Sequence, residues 1–427
     1  MQRDAHRIRF LTLLAALALT ACGGGGGTAG ANAPMTQPTP TPTATPTPYA
    51  GPTAMPANAA LRVPAGFIVS QIASVPSARE VAALPNGDLI VGTASANVVI
   101  VPNAESPGAV GTPTTFATVP DIEAAGVAYG AGAVFVGSNH HVYRIPYTNG
   151  AQSGTPQAVA GVRTLDDGGH NTTSVAVSGT TLYVGVGSTC NACVETDDPT
   201  RATIQRMGVD GSGMTTWAKR WRNPMALATN PANGTVWAGG AGQDLLAQGH
   251  PYEYLDAVST RPAGADYGWP DCEENRVAYT PGADCSNVVV PTIEFPAYST
   301  IMSATFYPAS QTGTYTFPAT YRGGLFVSLH GSWHTLNGSI PIDPPHVAFV
   351  AMNGDVPVTP VNWNDPTAQW TDFFSGFQDA SGNRIGRTTG IAVGAQGSLF
   401  VADDTGGAIY RIRPAGTAGS AIRRAGR

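Results

Sequence analysis

Cysteine, histidine and a near absence of lysine bound the chemistry open to this chain. Lys219 is the only lysine of the 427 residues, so arginine and histidine must do any cationic work. Cys22 directly follows Leu19-Thr20-Ala21. A thiol at the first residue of a mature chain can take a diacylglycerol, and this is the pattern of a bacterial lipobox. The other four cysteines are Cys190, Cys193, Cys272 and Cys285. An even number in an oxidising compartment predicts two local disulfides, 190–193 and 272–285. A redox role for Cys190-x-x-Cys193 lacks a surrounding thioredoxin-like βαβ pattern, and haem attachment needs a His where Val194 stands. A structural bridge or a pair of loop thiols remains. His140-His141 have no carboxylate or cysteine partners at metal-ligand spacing and read as loop residues.

The N-terminal context supports the anchor. Arg3, His6, Arg7 and Arg9 precede an apolar run from Phe10 to Leu19, which is the build of a secretory signal. The run is shorter than the roughly 20 apolar residues a spanning helix needs. Residues 1–21 are therefore read as a lipoprotein signal peptide. Residues 22–60, rich in Gly, Pro and Thr, cannot bury a core and form an extended tether. A folded domain is expected over 61–416, with a flexible tail at 417–427.

Composition narrows the fold. Charged residues make up 12% of the chain, against 52 Gly and 35 Pro, so turns are dense and long amphipathic helices scarce. The net charge of −6 gives no reason to expect nucleic acid. A short unit then recurs: an apolar strand, a turn with glycine, and a β-branched or aromatic strand. It begins at Glu80, Gly126, Ser174, Met225, Ala304 and Gly390. The copy starting at Ala304 carries a long insertion before Gly324-Leu-Phe-Val327. Third strands follow several units, as at Val142–Ile145, Thr203–Arg206 and Ile409–Ile412. Each unit is a small antiparallel sheet that cannot bury both faces alone, and stacking six radially does so. The chain is thus expected to be all-β, a six-bladed β-propeller. The segment Phe67–Ile72 precedes the first unit and is expected to complete the last. A β-sandwich would not explain six similar units.

Ordered motifs add a family resemblance. Gly169-His170, Gly187-Ser-Thr-Cys-Asn-Ala-Cys193, Arg201-Ala-Thr-Ile204, Trp221-Arg-Asn-Pro224, Tyr267-Gly-Trp-Pro270, His330-Gly-Ser-Trp333, Gly386-Arg387 and Val401-Ala-Asp-Asp404 occur in this order. Together they resemble the glucose/sorbosone dehydrogenase family over most of the chain after the tether. The resemblance implies a propeller, pyrroloquinoline quinone (PQQ), calcium, and oxidation of a sugar or related alcohol, with electrons passing to an external acceptor.

The residues suit those roles. PQQ carries three carboxylates, and the planar fork of arginine pairs with a carboxylate through two hydrogen bonds. Arg222, Asn223 and Arg387 match the family's cofactor-contact positions. His170 matches its base position, and an unperturbed pKa of about 6.5 suits a general base near neutral pH. His330 stands where the wider family places a basic residue near the quinone. Calcium, which takes about six to eight oxygens, is expected near Gln243 and Asp244. Departures from the family pattern are Thr173, Ala247-Gln248-Gly249, Tyr298-Ser-Thr-Ile301 and His334-Thr335. Asp166-Asp167 either cap a turn or help hold calcium. A non-catalytic propeller lipoprotein that binds a carbohydrate or protein is the alternative reading. The membrane is touched through the lipid anchor only, and Gly23 offers no inner-membrane retention cue, which points to the outer membrane of the cell envelope.

The anchor has a direct test. Cys22→Ser is expected to move the protein from the detergent phase to a soluble fraction, or to leave it uncleaved; unchanged detergent partitioning refutes the lipoprotein reading.

Overall fold

A computed structural model describes residues 61–163, 168–244, 249–336 and 340–416. The signal peptide, Cys22, the tether, the tail, Asp166-Asp167 and Ala247-Gln248 lie outside the described residues. Among the described residues the helical segments are two short 3-10 turns, Val258–Thr260 and Ala319–Tyr321.

Six antiparallel sheets of four main strands follow one another around a ring. Blades 1 to 5 span residues 78–118, 126–161, 173–219, 223–295 and 301–374. Blade 6 combines Thr388–Val393, Leu399–Asp403 and Ala408–Pro414 with Phe67–Ser74 from the other end of the domain. That pairing is antiparallel, with Phe67 opposite Pro414 and Gln71 opposite Tyr410. The expected closure is therefore present and runs two residues beyond Ile72. All six sequence units fall on the first two strands of a blade.

The strands are apolar on both faces because blades stack on each other. Leu89–Thr93, for example, is buried at every residue. Burying both faces removes the alternation a half-exposed strand would show. Six apolar clusters result, and each lies between neighbouring blades. The cluster between blades 5 and 6 is the most aromatic. Phe317, from the long insertion of blade 5, has its ring centroid 4.6 Å from both Phe67 and Tyr307 and 5.7 Å from Phe373. The insertion thus packs against the closing strand.

The inner strands are Ala78–Ala83, Gly126–Gly130, Thr173–Ser178, Asn223–Thr229, Ile301–Phe306 and Thr388–Val393. They surround a central channel of about 220 Å³. Across it the Ser303 hydroxyl meets Glu80 Oε2 at 2.5 Å. Burial pushes the Glu80 carboxyl up to about 8.

Both predicted disulfides form, Cys190–Cys193 and Cys272–Cys285. Phe317 provides the stability test for the closure. Phe317→Ala removes a fully buried ring and is expected to cost about 3–5 kcal/mol, read as a lower midpoint in denaturant unfolding.

Candidate active site

Every inner strand starts at the same mouth of the channel, so the residues that lead into those strands converge there. Five of the six lead-ins contain residues in the left-handed backbone region: Ser77, Glu123, Gly168 with Gly169, Arg220 and Thr300. Non-glycine residues take up that conformation at a cost and cluster where structure serves a site. The mouth holds a cavity of about 360 Å³, within the range of small-molecule sites. Arg79, Glu123, His170, Arg222, Trp333 and Arg387 line it, with Asn223, Asp244 and His330.

The loop carrying His170 is held from behind. Gly169 has φ +80°, and a Cβ there would meet the Ser188 carbonyl at 2.5 Å, so only glycine fits. The His170 N–H donates to the Ser188 carbonyl (2.9 Å). Behind both, the buried guanidinium of Arg201 donates to the carbonyls of Gly168 (2.6 Å), Gly187 (3.1 Å) and His170 (3.2 Å).

The tautomer of His170 follows from its partners. Nδ1 lies 3.2 Å from the Ser188 carbonyl and 2.9 Å from Ser188 Oγ. Ser188 Oγ already donates its proton to the Cys190 carbonyl (2.7 Å), so both neighbours of Nδ1 are acceptors. Nδ1 therefore carries the hydrogen and Nε2 the lone pair. Nε2 has no hydrogen-bond partner among the described residues. Burial, reinforced by the nearby Arg222 charge, pushes this imidazole down to about 4.

Arg222 is seated by the disulfide loop. Asn191, between Cys190 and Cys193, accepts from Arg222 through its carbonyl (3.1 Å) and its Oδ1 (3.0 Å). Arg222 also pairs with Asp244 Oδ2 at 2.6 Å, and Asn191 Oδ1 accepts the Asp244 N–H. Beneath Arg222, the Trp221 ring packs 4.1 Å from Tyr267, so the neighbouring motif residues serve as its foundation. The Asn223 Oδ1 atom is buried without a partner. A Cβ at Gly187 would meet that atom at 2.7 Å and His170 Cβ at 2.5 Å, so glycine lets the two side chains share one wall.

On the opposite wall, Arg387 donates to the carbonyls of His330 (3.0 Å) and Gly331 (2.7 Å). His330 Nε2 reaches both oxygens of Asp404, at 3.1 and 3.0 Å. Burial pushes the ring down to about 4 despite that carboxylate. His330 thus lines the site where the resemblance places a basic residue, with its ring paired to Asp404.

Five sequence-predicted residues come together here: His170, Arg222, Asn223, His330 and Arg387. Asp244 joins them, but its two oxygens are taken, Oδ2 by Arg222 and Oδ1 by His334 at 3.2 Å. Gln243 does not line the cavity. Its amide donates instead to the Pro270 carbonyl and to Glu273, both at 2.6 Å. Among the described residues no group of three or more acidic, His or Cys side chains is placed to hold a metal ion. The departures have structural roles: Tyr298 and His334 pack ring to ring at 4.5 Å, while Thr173 is fully buried away from the cavity. Sequence reading missed Arg79, Glu123 and the 62%-exposed Trp333 as lining residues. Arg79 had a signal, since an arginine also leads into the repeat units at Met225 and Gly390. A larger hollow of about 550 Å³ beside blade 3 includes Lys219 and Arg220. Both are committed to Asp266, and Arg220 also to Asp271, so the mouth is the better chemical site.

A six-bladed propeller whose mouth joins a neutral histidine to three arginines belongs to the broad class of ligand-binding and catalytic propellers. The particular assignment is narrower: residues 61–415 match the TrAA12-like family, and the chain belongs to it. Its fold is shared with the calcium structure of the Trichoderma reesei family AA12 carbohydrate-active enzyme, at 19% identity over 84% of this chain and 98% of that one (TM-score 0.68). The holo PQQ domain of Coprinopsis cinerea pyranose dehydrogenase matches at 19% identity over 86% and 100% (TM-score 0.67). The PQQ-bound aldose sugar dehydrogenase of Streptomyces coelicolor matches at 18% over 84% and 99% (TM-score 0.56). An uncharacterized protein of Borreliella burgdorferi is 23% identical over 194 residues, 45% of this chain and 46% of that protein.

Arg201 tests how the His170 loop is held. Arg201→Met leaves the buried Gly187 carbonyl without this donor and loosens the Gly168 and His170 carbonyls, and is expected to cost about 1–3 kcal/mol, seen as a lower melting temperature.

Proposed function

We propose that this protein is a PQQ-dependent oxidoreductase acting on a sugar or related alcohol, with electrons passed to an external acceptor. The observation that carries the reading is His170: a fixed tautomer with its free Nε2 in a cavity walled by three guanidiniums. The family and the shared fold support the same reading.

The site fits the cofactor's chemistry. Arg222 and Arg387 would hold its carboxylates, and the orphaned Asn223 side chain offers a further polar contact. When bound, the quinone supplies a two-electron acceptor for the hydride of the substrate C–H bond. His170 Nε2 would take the hydroxyl proton of that same carbon, a task for which it is both unprotonated and oriented. Glu123 has one buried carboxylate oxygen without a partner and would accept from a substrate hydroxyl. Calcium has no comparable support among the described side chains, so no step is assigned to it. The Cys22 lipobox supports a place on the cell envelope, where a diffusible or membrane acceptor would be reached.

Titration with PQQ, with and without calcium, followed by dye reduction over a sugar panel, tests the proposal; failure to bind PQQ at micromolar concentration leaves the binding-module reading. His170→Ala is expected to lower turnover about 10²- to 10⁴-fold with cofactor affinity largely kept. The neutral imidazole is the active form, and burial and Arg222 hold its pKa below the ordinary value, so the acid limb of the rate profile should fall below the ordinary 6.5. Stability has a related sign. The unfolded chain binds this proton more readily, so His170 lowers stability progressively as pH falls from about 6.5 to about 4, and no further below.

A further inference from the structure

We infer that Arg79, at the start of the first inner strand, is a binding residue for an acidic group of the cofactor. The inference rests on the PQQ reading above and adds a residue to it.

Arg79 lines the mouth cavity together with His330 and Arg387. Its Nη1 pairs with Asp404 Oδ2 at 3.0 Å, while its Nε is buried and without any partner. Asp404 is not Arg79's alone, because His330 also donates to it. Arg387, the second guanidinium of this wall, has no carboxylate within ion-pair distance among the described residues, and its protein bonds go to two backbone carbonyls. The wall made by blades 1, 5 and 6 therefore sets two guanidiniums and a neutral imidazole against a single shared carboxylate.

The other wall differs. Arg222 is matched there by Asp244. Glu123 also lines the cavity, and it forms no ion pair with Arg79. A guanidinium with a buried N–H short of a partner costs free energy until an acceptor arrives. The acceptor that best suits two neighbouring guanidiniums is a carboxylate, which takes paired N–H donors. PQQ presents three carboxylates. Arg222 and Arg387 account for two, and Arg79 faces the same space from a third direction. The shared Asp404 fixes one arm of Arg79 so that little side-chain freedom is left to lose on binding.

The test uses the purified protein and free PQQ with calcium present and no sugar, following tryptophan fluorescence and cofactor absorbance. Arg79→Gln is expected to weaken PQQ binding about ten- to hundred-fold, the usual size of a lost charge-assisted contact. Its melting temperature should change little, since the Arg79–Asp404 pair is partly exposed and Asp404 keeps His330. Arg79→Lys retains charge but loses the fork, and a smaller, several-fold loss is expected; it decides the matter if the glutamine variant does not fold. Wild-type affinity in either folded variant overturns the role of Arg79 and leaves the PQQ reading intact. Absence of PQQ binding by the wild type overturns both.

Discussion

The structure depends on one non-local pairing, that of Phe67–Ser74 with Ala408–Pro414. It joins segments more than 300 residues apart in the chain and turns six stacked sheets into a closed ring. Each blade buries its faces only against its neighbours, so an open ring would leave two apolar faces in water. The aromatic insertion of blade 5 reinforces the same seam, with Phe317 and Tyr321 both packed on Phe67. Closure also fixes the site. Arg79 sits nearly at the start of the domain and Asp404 near its end, yet they pair at 3.0 Å because the ring returns the last blade to the first.

Within the ring, arginines divide into two uses. Arg201 is buried and spends its donors on the carbonyls of the loops around His170 and Gly187. Arg222, Arg387 and Arg79 keep part of their guanidinium towards the cavity. With Lys219 the only lysine, planar forks do both tasks, satisfying several backbone carbonyls in one case and facing a ligand in the other. The Cys190–Cys193 bridge serves the second use. It closes the loop that carries Asn191, and Asn191 sets both Arg222 and Asp244.

Much of the fold was legible because each blade repeats a strand, a glycine turn and a second strand, in nearly the same number of residues in every blade but the fifth. The fourth strands were not. Thr114–Thr118 and Thr215–Lys219 are short, threonine-bearing and partly exposed, so they carry no continuous apolar run. The motifs led to His170, Arg222, Asn223, His330 and Arg387 because those residues lie at or beside loop glycines and strand starts. Gln243 lies off the cavity wall for a physical reason: its loop neighbours the site, but a buried amide goes to buried acceptors, here Glu273 and the Pro270 carbonyl. The low pKa of His330 was equally out of reach. It depends on burial by elements distant in sequence, which no local pattern encodes.

The electrostatics of the mouth couple its two halves. The cations that would hold an acidic ligand also act on the base, since Arg222 is the second cause, after burial, of the low pKa of His170. An anion beside Arg222 cancels part of that influence and makes the imidazole a stronger base. By linkage, protonation of His170 then favours the anion by the same factor. Without an anion, burial and then Arg222 hold the pKa of His170 low; with one, the ring would hold a proton more firmly. Asp244 limits the effect by remaining paired with Arg222 at 2.6 Å. The wall of Arg79 and Arg387 has no such full compensation, since Asp404 is shared between Arg79 and His330. On the proposed reading, an acidic group held by Arg79 and Arg387 would leave the space in front of His170 Nε2 for the group whose proton it would take.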